Sequence, residues 1–358
     1  MGLRVSAQCE EGKKHPYLSG YGDGRKPQFG VRRLAKGRTP GRQREDVSME
    51  LIKPGTKIDF VGKKHYALAL SAVLILVSIV SLWTKGGPRY GVDFSGGVLA
   101  QLKFPAHVPL SDVRAALEGA GVGRVSVQGY GQEKENEFLV RIEQTSADLQ
   151  EISQKLEKGL KDRFGEAAPE IRRMEMVGPK VGADLRRKGF WAVVYATAGI
   201  LIYLGWRFEP RFGLGAVIAL IHDALIVVGS FSVLDKEIDL SIVAAILTII
   251  GYSVYDTVVV FDRIRENMRK IRRMPFEAVV NASINETLNR SLLTSSTTLI
   301  TVVTLFVLGG PVVHDFAFAL IVGVVVGTYS SIYIASPIVI YLERFKAKVG
   351  AKKSRQGK

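Results

Sequence analysis

The 358-residue chain is 47% apolar, has a mean hydropathy of +0.15 and carries 49 Lys and Arg against 34 Asp and Glu, a formal charge of +15. That hydropathy excludes a disordered nucleic-acid arm, and the clustering of the apolar residues decides against the two or three soluble domains that the length alone allows. The single cysteine, Cys9, excludes an internal disulfide framework and a cysteine-based metal site.

Residues 1–48 hold 11 basic and 5 acidic residues, eight glycines and no apolar run. Lacking an h-region, they are not a signal peptide. We expect a disordered basic tail, and we expect translation to begin at Met49, so that Cys9 falls outside the mature protein.

Tyr66 to Trp83 is the first of six stretches with few or no charges. The others are Phe190–Trp206, Phe212–Leu234 (interrupted by His222 and Asp223), Leu240–Phe261 (interrupted by Asp256), Ser291–Val313 and Phe316–Leu342. A helix needs roughly 20 apolar residues to cross the hydrocarbon core of a bilayer. The pattern predicts six transmembrane helices rather than six buried helices of a soluble core. Trp83, Trp191 and Trp206 at span ends fit the aromatic belts of a membrane interface.

The flanking cations set the expected orientation. Lys53, Lys57, Lys63 and Lys64 precede the first span, and Arg207 and Arg211 separate the second from the third. Seven basic and four acidic residues fill Asp262–Arg290, and the tail after Leu342 has seven basic residues and one acidic. The opposite side carries Asp235, Lys236, Glu237 and Asp239, then His314 and Asp315. Both termini are therefore expected in the cytoplasm, with the charge excess reflecting topology rather than a nucleic-acid patch.

Thr84–Gly189 is a long polar loop on the other side, with 17 basic and 15 acidic residues. It opens on Gly91-Val92-Asp93-Phe94-Ser95-Gly96-Gly97. That spacing matches no P-loop or dinucleotide fingerprint, and a tight turn at the membrane exit is the reading preferred over a phosphate cradle. Alternation predicts a strand over Val98–Phe104. Ser111 is placed to cap a helix running through Glu118 and closed by Gly119 and Gly121. Two strands follow, Arg124–Gln128 and Glu137–Ile142. Leu149, Ile152, Leu156, Leu160 and Phe164 mark an amphipathic helix, and Ile171–Val177 a last strand. The β-α-β-β-α-β order is that of a ferredoxin-like sandwich. With no cluster of catalytic residue types, the domain reads as a binding or mechanical module.

Asp256 is the most informative residue. It lies six positions before Asp262, about 9 Å along a helix from the membrane interface. Its neighbours at helical spacing, Ser253, Tyr252, Thr248 and Ala245, form a small, polar face suited to packing on other helices. An ionised carboxylate there costs about 2.5–3.5 kcal/mol. Desolvation favours its neutral form and a nearby cation its charged form, so the group can load and release a proton; the alternative is a structural Asp that never titrates. Asp223 shares a face with Gly215 and Ala219 and reads equally as a second relay site or an interhelical anchor. His222, one residue round the helix, is expected at the interface. Arg290 shares a face with Thr294, Thr297 or Thr298, and Thr301. Its guanidinium never deprotonates and so suits a charge partner for Asp256, although Arg290 alone reads as a positive-inside anchor. Gly323, Gly327, Ser331 and Ala335 form a ridge for close helix packing.

The run Gly251-Tyr252-Ser253-Val254-Tyr255-Asp256-Thr257-Val258-Val259-Val260-Phe261-Asp262-Arg263-Ile264-Arg265-Glu266-Asn267 resembles the signature of the SecF family. Ile284-Asn285-Glu286-Thr287-Leu288-Asn289-Arg290-Ser291-Leu292-Leu293-Thr294-Ser295 resembles that family's next motif. The Gly91–Gly97 turn, Ile221-His222-Asp223 and Leu308-Gly309-Gly310-Pro311 match as well. The resemblance runs from about Met49 to Phe345. Tyr255 departs from it, since the family usually has Asn there; a phenol lacks the two-sided hydrogen bonding of an amide.

The resemblance implies a six-span fold of the resistance-nodulation-division type and no cofactor. It also implies a SecD partner, work beside the SecYEG translocon with SecA and YajC, and use of the proton or sodium motive force to complete preprotein translocation across the bacterial inner membrane. It assigns Asp256 and Arg290 to ion coupling, with Asp223, Thr294 and Thr298 as further members, and Gly91, Asp93, Phe94, Gly96 and Gly97 as a structural motif. The rival is an ion-coupled transporter of lipids or small molecules in the same superfamily. Such a protein would need a substrate portal, usually built from two large outer domains. A pure scaffold is a third reading. An enzyme is the least supported, because no nucleophile–base pair or metal-ligand spacing occurs.

Overall fold

The computed structural model describes residues 57–130, 136–143, 149–271 and 273–356. The expected basic tail at 1–48, Cys9, the start at Met49, Lys53, and Arg272 and Lys358 among the flanking cations lie outside the described residues. Among the described residues six segments are long and apolar enough to cross a membrane, as the uncharged stretches predict.

Helix α1 spans Lys64–Thr84. A single turn, α2 (Val92–Ser95), then leads into strand β1 (Gly97–Lys103). Helix α3 (Leu110–Gly119), strands β2 (Arg124–Tyr130) and β3 (Glu137–Glu143), helix α4 (Leu149–Phe164) and strand β4 (Glu170–Val177) complete an α+β layer. Its four strands form one antiparallel sheet in the order β2-β3-β1-β4. Val98, Ala100 and Leu102 of β1 and Val140 and Ile142 of β3 point to one face. There they pack with Val113 and Leu117 of α3 and Ile152, Leu156 and Leu160 of α4. The predicted periodicities of two and three-to-four residues thus meet in one core. Ser111 does not cap α3: the helix starts one residue earlier, after Pro109, and no side chain caps it.

Helix α5 (Pro179–Arg207) runs from this layer into the second span without a break. Pro179 and Pro210 sit at the first positions of α5 and α6 (Pro210–Val233), where a missing N–H costs no intrahelical bond. Helix α7 (Leu240–Lys270) starts at Asp239, whose Oδ1 accepts from the Ile242 amide at 3.0 Å. Helix α8 (Phe276–Leu308) ends five residues before the uncharged stretch does. Gly310 adopts φ +73° and Pro311 starts α9 (Pro311–Ser330), so backbone chemistry rather than polarity stops α8.

The sixth span is not one regular helix. A π turn at Ser331–Ala335 separates α9 from α10 (Ser336–Gln356). Pro337 in the first turn of α10 has no N–H for a regular bond to Tyr333, and Ser336 Oγ donates instead to the Ser331 carbonyl at 3.0 Å.

Within the bundle α6 is central. In its most apolar window 61% of the residues are buried, against 11% in α1, α5 and α8, which leave apolar side chains outward for lipid. One core gathers Phe212, Phe261, Ile264 and Val339, with Phe212 and Phe261 edge to face at 5.1 Å. The other gathers Phe94, Val227, Phe231, Ile242 and Ile246. Gly323 and Gly327 of α9 lie against Ile249 and Ser253 of α7, which confirms the small-residue ridge as a packing surface.

Candidate functional site: a buried carboxylate pair in the helix bundle

Asp256 and Tyr255 sit about 100° apart round α7, so one faces the bundle and the other does not. Asp256 is buried, at 8% exposure, whereas Tyr255 is 51% exposed. Across from them, α8 repeats the division: Ser291 is buried and Arg290 exposed. The inward pair meets, with Ser291 Oγ donating to Asp256 Oδ1. The outward pair meets too. Arg290 Nη2 donates to the Tyr255 hydroxyl at 2.6 Å, and the guanidinium lies 5.7 Å from the Tyr255 ring centroid.

Among the described residues no ion pair joins Arg290 to Asp256, and the guanidinium bonds to the Tyr255 hydroxyl instead. The register of α7 on α8 aligns Asp256 with Ser291 and gives the guanidinium an aromatic face and a phenol oxygen outside. Asp256 Oδ2 has no hydrogen-bond partner among the described residues.

Asp223, on α6, is 1% exposed and fully engaged. Its Oδ2 accepts from Ser253 Oγ of α7 at 2.6 Å and from Ser330 Oγ of α9 at 2.8 Å. Its Oδ1 lies 2.9 Å from Nδ1 of His222. His222 is only 4% exposed and stacks on the Tyr329 ring at 6.3 Å, so the interfacial placement expected for it is corrected. Gly215 and Ala219 bring α6 close enough to its neighbours to bury this face. Thr294 Oγ1 and Thr298 Oγ1 donate to carbonyls of their own helix, at Arg290 and Thr294, and bond to neither carboxylate. Thr248, expected on the packing face of α7, is exposed and bonds back to Ala244.

Sequence reasoning gave Ser253 and Ser331 only packing roles and missed Ser291 and Ser330 as partners of the carboxylates. Ser253, Ser291, Ser330 and Ser331 are all buried, and Ser331 Oγ lies 3.0 Å from Thr257 Oγ1, next to Asp256. Ser330 and Ser331 are consecutive at the start of the π turn, so one contacts Asp223 while the other approaches the Asp256 segment. The available signal was a Ser-Ser pair inside an apolar run.

The Gly91–Gly97 motif is a clasp rather than a ligand cradle. Asp93 Oδ2 accepts the Leu240 amide at 3.0 Å, a second cap on α7, and Phe94 is buried among Ile242, Val227 and Phe231. Gly91 N donates to Ile238 O and Ile238 N to Arg89 O. Gly96 (φ +79°) and Gly97 (φ +128°) turn the chain where a side chain would strike Pro179 and Ile142.

Ion pairs extend the clasp: Arg89 and Lys85 to Asp235, and Arg89 and Arg141 to Glu237. Hydrogen bonding by Lys85 and the charge of Arg89 hold the Asp235 carboxyl below its ordinary range. Burial lowers the Arg141 guanidinium from its ordinary value. Between the open face of the sheet and the helix ends lies a cleft of about 1050 Å³, lined by Gln101, Arg141, Glu175, Glu237, Phe306 and His314. No group of three or more His, Cys, Asp or Glu among the described residues has the geometry to hold a metal.

Residues 156–345 match the family described as protein export membrane protein SecD/SecF, C-terminal. The chain is 45% identical to the protein translocase subunit SecF of Thermodesulfovibrio yellowstonii, covering 80% of this chain and 95% of that one. It is 42% identical to the SecF of Vibrio alginolyticus, over 82% and 92% of the two chains, and 40% identical to that of Pseudomonas aeruginosa, over 81% and 93%. Among solved structures it is similar to SecDF, a translocon-associated membrane protein from Thermus thermophilus, with a TM-score of 0.72 and 37% identity over 81% of this chain. A SecDF crystal structure in the super-membrane-facing form gives 0.62 and 36% over 84%. The chain spans 39% and 41% of those two longer chains.

Proposed function

The chain belongs to the SecF family of protein translocase subunits and is a multi-pass membrane protein of protein export, and we propose that it couples an ion gradient to late steps of preprotein translocation. The observation that carries this reading is Asp256, buried in the middle of a helix bundle with one oxygen unpartnered. A carboxylate in that setting switches between a charged and a neutral bundle by gaining one proton. In our reading Asp256, when ionised, draws the Arg290 guanidinium inward from Tyr255. When Asp256 is protonated the attraction is lost and Arg290 rests on the phenol. The helices on either side of the π turn repack between these states. Asp223 joins the same path through Ser330, and Thr294 and Thr298 lie on the flank that Arg290 sweeps. One charge moved through 100 mV supplies about 2.3 kcal/mol, a bias of about fifty-fold on a two-state equilibrium.

The outward work falls to the α+β layer. Its order and sheet arrangement support a ferredoxin-like domain on the outer side of the inner membrane, both termini being cytoplasmic as the cations indicate. Because α5 continues from that layer into the bundle, and the clasp at Asp93 and Glu237 ties it to α7, helix motion tilts the domain. The partners are SecD, supported by the SecDF structures, then SecYEG with SecA and YajC, and the moving preprotein. The force is the proton motive force, with sodium as the other candidate ion.

The test is Asp256→Asn, which keeps size and hydrogen bonding but not charge. Assembly with the SecD partner should be retained and gradient-stimulated export lost. Export stimulated to the normal extent rejects the coupling role.

A further inference from the structure

We propose that His222 is a second proton-accepting site of the bundle, with Nε2 as the accepting atom and Asp223 as the residue that positions it. Two hydroxyls donate to Asp223 Oδ2 and His222 Nδ1 lies 2.9 Å from Oδ1, an arrangement that suits an ionised, acceptor-only carboxylate. With Asp223 ionised, Nδ1 carries the hydrogen and the ring lone pair lies on Nε2. That atom is buried and has no hydrogen-bond partner among the described residues. A histidine serving only as an anchor would have both nitrogens engaged.

The surroundings leave no other base for this role. On its own helix His222 faces Asp223. Helix α9 contributes Tyr329, whose hydroxyl donates to Ala67 O at 2.6 Å and accepts from Ser71 at 3.1 Å. The π turn carries Tyr333, whose ring lies 5.2 Å from that of Tyr329, and α7 carries Tyr252, bonded to Ser295, and Asp256, bonded to Ser291. Helix α1 has no charged residue between His65 and Lys85, and α5 none between Lys188 and Arg207. The Tyr341, Glu343 and Arg344 side chains of α10 lie beyond the π turn, and Glu343 is paired with Arg211. Among the described residues no Lys or Arg is bonded to Asp223 or Asp256, and His222 is the titratable base in contact with Asp223.

The step is a proton transfer. A hydronium ion entering from water gives its proton to the Nε2 lone pair; an N–H bond forms, an O–H bond breaks and water leaves. The His222–Asp223 pair passes from a net charge of −1 to zero. Ser330 on Asp223, and its neighbour Ser331 on Thr257, connect this pair to the Asp256 segment. The inference rests on Asp256 being the coupling carboxylate, but its test does not.

The experiment is ¹⁵N solid-state NMR of the full chain in lipid bilayers, with His15→Gln, His65→Gln, His107→Gln and His314→Gln, so that His222 is the remaining imidazole. At mildly alkaline pH the expected result is a protonated Nδ1 and a bare Nε2, with Nε2 alone gaining a proton on acidification. A ring protonated at Nε2 in alkali, or an Nε2 still bare in acid, overturns the proposal. Normal export by Asp256→Asn would remove the coupling reading yet leave this titration in place, so the two failures are told apart.

Discussion

Removing Arg141 or Glu237 tests how the outer layer is fastened to the bundle. Arg141 leaves β3 on the open face of the sheet, opposite Leu99, and pairs with Glu237 in the connection between α6 and α7. Both side chains are mostly buried, at 19% and 15% exposure. Truncating one partner of a buried pair costs about 3–5 kcal/mol, because the other charge is left without compensation. Here the loss is smaller, since Arg89 Nη2 stays 3.5 Å from Glu237 and keeps part of the attraction. We expect about 2–3 kcal/mol for Arg141→Ala, including the packing of its aliphatic stem. Glu237→Ala should cost at least as much, because it leaves Arg141 without the ion pair it makes among the described residues. The double variant should be less destabilised than the sum of the singles by about 1–2 kcal/mol. Hydrogen exchange of the β3 amides and of the Ile238 amide, measured for all four chains in detergent, reads these values. Additivity within about 0.5 kcal/mol would show that the two side chains do not act on each other and would refute the clasp.

Gly96→Ala should lower thermal stability by about 1–2 kcal/mol for the left-handed backbone alone. A further loss comes from the Pro179 backbone, since the new Cβ would fall 2.9 Å from its Cα; an unchanged melting temperature would contradict the turn. Gly327→Ala places a Cβ 3.1 Å from that of Ser253 and should cost about 1–3 kcal/mol while loosening the Ser253–Asp223 bond, measured by unfolding in detergent. The clasp at Asp235 has a defined pH response. Its carboxyl is held below the ordinary value of 3.8, so its contribution is complete above that value and is lost as pH falls through the depressed one. Protection of the Ile238 amide, taken relative to its intrinsic exchange rate at each pH, should be level from neutral to mildly acidic pH and fall only in stronger acid, whereas loosening near neutrality would point to another group.

The spans were legible because bilayer thickness fixes a length of apolar sequence, and the α+β layer because its two periodicities are local. What failed was pairing between helices. Nothing in a single helix says whether Arg290 or Ser291 meets Asp256, since the answer depends on the rotation of α8 against α7, and the two candidates are adjacent. His222 was misplaced for the same reason: its burial comes from α6 being the central helix, which follows from assembly and not from its own composition. The π turn lay hidden because Ser331–Ala335 is as apolar as its surroundings, although Pro337 carried the physical cause. The end of α8 was misjudged by polarity, whereas Gly310 and Pro311 gave the backbone answer.

The central claim is that one proton on Asp256 drives the bundle. Its most direct measurement is proton entry into liposomes that hold the chain with its SecD partner, followed by an internal pH dye under an imposed membrane potential. The account predicts acidification with the native chain and none above protein-free leakage with Asp256→Asn. Equal flux from the two chains would contradict it.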